Sequence, residues 1–242
     1  MFGRLFLPLL SFLIFLNSAI AQKRTISFFS QDNVEIHADL FFSKAENPYV
    51  VLFHQENSSR GEYSEIAKKL LNLEYNCLVV DLRIGDEANY VKNITARQTK
   101  KEYSYSDCLK DVEASIDFAF SKTQKPLILF GSGFSASLCL VAAKNNKKVQ
   151  AVIAFSPGEY LKPQINTKDK LENYDKQVFI GSKKEELNYA KELMQPVTNS
   201  LKTFSAHESS KQVRGSFLLN EKNASSDKFW FDLLLFFKRL NP

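Results

Sequence analysis

"LILFGSGFSASLCLVAAKN", residues 127–145, runs from an apolar strand-like stretch through small residues into a helix-like stretch. Two different machines share that plan. Gly131, Gly133 and Ala136 fit G-x-G-x-x-[GA], in which a dinucleotide pyrophosphate rests on a helix N-terminus. Residues 133–137, GFSAS, nearly fit G-x-S-x-G, the strained turn that presents a nucleophilic serine. The surroundings weigh against the first. A dinucleotide fold places its glycine loop after the first strand of the unit and wants a carboxylate at the end of the next. Here five strand-like segments come first, and the following one ends AFSP (154–157), with no carboxylate before Glu159.

Outward from that stretch, strand-like and helix-like periods alternate. Residues 25–30 and 34–42 read as a hairpin, and 49–53 and 77–82 as strands covered on both faces. Residues 63–73 and 107–121 carry apolar residues at helical steps, and the helix after the turn is expected over 136–144. Strands at 149–155, 177–181 and 201–205, a helix at 186–194 and a last helix at 226–240 complete the series. In that last helix Phe229, Trp230, Leu233, Leu234 and Phe237 form the expected core stripe. The pattern predicts an α/β class: a mostly parallel sheet of about eight strands, helices on both faces and no large cap domain.

At the N-terminus, Arg4, the apolar run 5–16 and Ala19-Ile20-Ala21 read as a secretory signal peptide over residues 1–21, with an uncleaved N-terminal anchor as the alternative. The mature chain, residues 22–242, is expected as one exported domain, periplasmic or secreted, with no membrane span. Lys and Arg number 32 against 27 Asp and Glu, but the signs are interspersed, which points to a solvated surface and not to a nucleic-acid groove. Cys77, Cys108 and Cys139 have no metal-ligand spacing and read as buried thiols, with one bridge left open. No metal or organic cofactor is expected.

The loop "LFHQ" to "RGEY" (52–63), the strand "NCLVVDLR" (76–83) and the elbow "GSGFSAS" (131–137), in this order, resemble the α/β-hydrolase superfamily, particularly its small lidless dienelactone-hydrolase-like members. The resemblance spans nearly all of residues 25–240. It implies Ser135 as the nucleophile on an elbow after the fifth strand, with the backbone N–H groups of Ala136 and Gln55 as oxyanion donors. It also implies a carboxylate after the strand that follows Ser156, for which Glu185 is the choice and Glu186 the reserve. His54 is expected to brace its loop, and His37 to be a strand residue.

The base divides the reading. His207, in "FSAHESS", stands after the last strand, where a base belongs; relatives instead carry a His-Gly-Ser-like triplet farther on, which "VRGS" (213–216) matches with Arg214 at the histidine position. An arginine stays protonated and cannot take the serine proton. The first hypothesis is therefore an exported serine hydrolase acting on a small acyl or ester substrate through Ser135, His207 and Glu185. The alternative is a catalytically degenerate binding protein of the same fold. Arg83 and Arg214 are possible substrate contacts in either case.

Overall fold

The computed structural model describes residues 22–99 and 101–240, so the expected signal peptide lies outside the described residues. Eight strands form one sheet: β1 (Gln22–Phe29), β2 (Glu35–Phe42), β3 (Tyr49–Phe53), β4 (Asn76–Val80), β5 (Leu127–Ser132), β6 (Val149–Phe155), β7 (Gln177–Lys183) and β8 (Lys202–His207). Their order is β1-β2-β4-β3-β5-β6-β7-β8, and only β2 runs against the rest. β3, β4 and β5 are buried at every residue, which is what apolar runs such as YVVLF require when both faces are covered.

Two helical layers do the covering. On one face lie α1 (Ser64–Asn72) and α5 (Ser226–Leu240), which bring Ile66, Leu70, Phe229, Leu233, Phe236 and Phe237 against the sheet. On the other lie α2 (Leu109–Thr123), α3 (Phe134–Ala143) and α4 (Leu187–Leu193), through Val112, Ile116, Leu138, Leu140 and Leu193. The stripe of α5 differs from expectation at one place. Leu234 is 41% exposed, beside the similarly exposed Phe231 and Leu235, and Phe236 takes the core position.

No large cap is present among the described residues. The stretch after β4 folds as a two-residue hairpin (Glu87–Ala88 with Val91–Lys92) and a short helix, Ile94–Gln98. Asp81 anchors it by accepting the Ile94 N–H at 2.8 Å, and the Asn93 side chain caps the helix at Ala96 N, also 2.8 Å. All three cysteines are buried and free, which closes the possibility of a bridge among them. No helix among the described residues is long and apolar enough to cross a membrane.

Candidate functional site

In an open α/β sheet, ligands bind beyond the carboxyl ends of the parallel strands. There the chain passes from β5 into α3, and the elbow is where the two motif readings meet. The helix begins at Phe134, two residues earlier than the sequence suggests, so the sharp turn falls on Gly133 (φ 61°, ψ −123°). That sparsely populated positive-φ conformation costs a residue with a side chain of order 1–3 kcal/mol and is open to glycine. The neighbours agree with this register. A Cβ on Gly131, two residues before the apex, would stand 2.4 Å from the Ser135 carbonyl oxygen and 2.5 Å from Ala136 N. Gly131 is therefore the obligatory small residue before the apex, and Ser135 the small residue after it. The apex of the elbow is a residue without a side chain.

Ser135 accordingly does something other than expected. It is fully buried inside the first turn of α3. Its Oγ accepts the Ser132 N–H at 2.8 Å and has the carbonyl oxygens of Phe53 (2.6 Å) and Ser132 (2.9 Å) within donating distance. The Phe53 carbonyl also accepts from Tyr63 Oη at 2.9 Å. The hydroxyl is a tether between the end of β3 and the elbow, and no imidazole adjoins it.

The expected oxyanion donors are committed elsewhere. Gln55 N–H donates to the buried Glu62 carboxylate at 3.1 Å, and Glu62 is held in turn by Ser216 Oγ at 2.5 Å. Ala136 N–H donates to the Gly133 carbonyl at 3.1 Å as part of the helix.

His207 ends β8 with its ring turned to α5. Its Nε2 lies 2.8 Å from Asp232 Oδ2, which also accepts from Ser205 Oγ at 2.7 Å, and the ring stands edge-on to Phe229. It has no contact with Ser135. Glu185 is exposed on the turn after β7, whereas Glu186, the reserve, turns inward and accepts from Ser156 Oγ at 2.8 Å. Thus Ser135, His207 and Glu185 stand apart, each with a structural partner or in solvent.

His54 braces its loop as expected. Leu82 N–H donates to its Nε2 at 3.1 Å, which leaves Nδ1 as the donor to the Gln55 carbonyl at 2.8 Å. Arg83 is not a substrate contact: its guanidinium is buried and forked between Asp111 (2.6 and 2.9 Å) and Asp32 (2.8 and 2.9 Å).

Arg214 is different. Its loop docks on the elbow, with Gly215 N–H donating to Ser156 Oγ (3.1 Å) and Ser216 N–H to Ser132 Oγ (2.9 Å). Glycine is required at 215, since φ is +61° and a Cβ would meet Ser132 Oγ at 2.2 Å. This docking brings Arg214 to Tyr160, whose phenol oxygen accepts from Nη2. Arg214 forms no ion pair among the described residues, and its buried Nε has no acceptor. Burial pushes the Tyr160 phenol up; Arg214 opposes the shift, and Glu56 and Glu186 add to it. Glu56, which the sequence does not single out, has its buried Oε2 unpartnered and 3.1 Å from where a Cβ on Gly133 would stand. Among the described residues no His, Cys, Asp and Glu cluster could hold a metal ion.

Set against known proteins, this architecture is similar to the fold of solved α/β hydrolases. An esterase from Pyrococcus furiosus superposes with a TM-score of 0.69 at 16% identity, over 90% of each chain. A dienelactone hydrolase from Anabaena variabilis gives 0.64 at 14% identity, covering 89% of this chain and 95% of its own. The esterase domain of a Rhodothermus marinus protein gives 0.59 at 15% identity, covering 88% and 96%. No protein-family model and no curated protein matches the sequence.

Proposed function

We propose that this chain is an exported ligand-binding protein built on the α/β-hydrolase fold, whose elbow site holds a small molecule without forming an acyl-enzyme. The observation that carries this is Gly133 at the strained apex, where the fold presents its nucleophile. Arg214 at the histidine position supports it, because a guanidinium cannot accept a proton. The expected oxyanion donors, Gln55 and Ala136 N–H, are already bonded within the chain, which also supports a site that does not run acyl transfer. Export rests on the sequence pattern of residues 1–21.

Ester hydrolysis is a second reading, favoured by the esterases among the structural neighbours and by Glu56 beside the apex. It would use Glu56 as a general base. The carboxylate takes a proton from water as the water oxygen bonds to the ester carbonyl carbon; the resulting oxyanion collapses and expels the alcohol, which leaves with that proton.

Hydrolysis of p-nitrophenyl acetate by wild type, Ser135→Ala and Glu56→Gln separates the readings. A rate near the buffer background in all three supports binding. Turnover that survives Ser135→Ala and disappears in Glu56→Gln supports the second reading. Turnover lost in Ser135→Ala, with the fold intact by circular dichroism, overturns both.

A further inference from the structure

A cavity between α1 and the first turns of α5 stands apart from the elbow. It holds about 110 Å³, and neither Gly133, Glu56 nor Arg214 lines it. For scale, an engineered apolar cavity of about 150 Å³ takes up benzene. Ile66, Phe217, Leu219 and Trp230 give it apolar walls, the usual lining of a site for a small organic molecule. Trp230 Nε1–H donates to the Leu219 carbonyl at 3.0 Å, which fixes the ring as one wall. There is room for a chain of three or four carbons. The polar groups around it decide what that chain carries.

Glu62 is the decisive one. It lines the cavity and is only 6% exposed. Both its oxygens are met by neutral donors: Oε2 by the Gln55 N–H, and Oε1 by the hydroxyl of Ser216, itself part of the cavity wall. No cation pairs with it among the described residues. The one cation in the lining, Lys69, is engaged with Glu221 at 3.3 Å and with the Trp230 ring at 5.0 Å. Glu65, the third carboxylate of the lining, holds Lys68 at 2.7 Å on the exposed side of α1. A buried carboxylate without a counter-charge is costly, and folded chains pair such groups.

We infer that this cavity binds a small primary alkylammonium ion, its N–H donors on Glu62 and its carbon chain against Ile66, Leu219 and Trp230. An anion would meet three carboxylates and one lysine. A neutral chain would cover the walls and leave Glu62 without a counter-charge. The alkylammonium satisfies both.

Trp230 is the single tryptophan of the chain, so its emission reports on the cavity directly. Titration with n-butylamine at neutral pH, where it is protonated, tests the inference. 1-Butanol and butyrate serve as its neutral and anionic matches, and calorimetry on the same samples detects binding that leaves the emission unmoved. The expected result is saturable binding of butylammonium with a Kd of about 1 mM or tighter, and binding of both matches weaker by about tenfold or more.

Two charge changes should act in opposite directions. Glu62→Gln should weaken butylammonium binding by about tenfold or more, the scale of a charge-assisted hydrogen bond. Lys69→Gln removes a competing positive charge from a partly exposed side chain and should tighten binding about threefold. A purely structural role for the two residues would move both variants the same way.

Neither heat nor an emission change at concentrations about tenfold above 1 mM would overturn the inference. So would butanol binding as tightly as butylammonium, or an affinity unmoved by both charge changes. If Glu62→Gln does not fold, Lys69→Gln decides alone. Residues 133–136 contribute nothing to this lining, so the outcome of the p-nitrophenyl acetate assay and the outcome here stand or fall separately.

Discussion

Arg83 and Arg214 both stand beyond the carboxyl ends of the sheet, and their surroundings differ in kind. Arg83 has two carboxylates and a tyrosine face, Tyr103, around a side chain with no solvent exposure. Arg214 has a phenol and an unfilled Nε. A buried guanidinium whose donors all find carboxylates is part of the architecture. One without a carboxylate, as Arg214 is among the described residues, is placed by its loop and by Tyr160. The two carboxylates on Arg83 also diverge. Its hydrogen bonds hold the outer Asp32 well below the usual carboxylate range, whereas burial pushes the inner Asp111 up.

The contrast breaks first at Arg83. Arg83→Met should cost about 3–5 kcal/mol in urea unfolding, because it leaves Asp111 buried without its counter-charge; a loss under about 1 kcal/mol would show that the fork contributes no stability. Ser135→Ala comes next, at about 1–3 kcal/mol, since it strands the Ser132 N–H and removes the tether to Phe53. A nucleophile standing free at an apex would instead be nearly neutral to remove.

Acid denaturation sharpens the Arg83 side. A folded pKa below the unfolded value of about 3.9 means that ionised Asp32 stabilises the fold. That contribution is complete above the unfolded value and fades as pH falls toward the folded one. Asp32→Asn should therefore flatten the fall of Tm between about pH 4 and pH 2; an unchanged slope would contradict the pairing. Smallest is Arg214→Gln, with an expected stability change within about 0.5 kcal/mol. A loss above about 2 kcal/mol would make Arg214 a structural residue like Arg83.

The layered sheet was legible because its signals are local. Apolar runs such as YVVLF and VQAVIAF mark β3 and β6 at their observed boundaries. The elbow bends two residues before the position its sequence suggests, because two small-residue patterns overlap there. Seeking a hydroxyl at the apex favoured Ser135, whereas the backbone requires a residue tolerant of positive φ, which glycine supplies. Spacing held the missing clue: Gly131 and Ser135 lie symmetrically about Gly133.

The sequence reading sets His207 beyond the last strand, whereas it is the final residue of β8 and its ring faces α5. Side chains alternate along a strand, so Ser205 and His207 face α5 together and meet Asp232. Glu186 faces inward where Glu185 does not because it caps the turn after β7, its carboxylate accepting Lys183 N–H at 3.3 Å. Arg83 finds Asp32 and Asp111 at separations of 51 and 28 residues, beyond any local pattern.

Everything about the site depends on where the elbow bends. Incubating the native protein with a fluorophosphonate probe and reading the intact mass tests this most directly. The glycine apex predicts no adduct on the folded chain. A single adduct mapped to Ser135 would contradict it and restore a serine nucleophile.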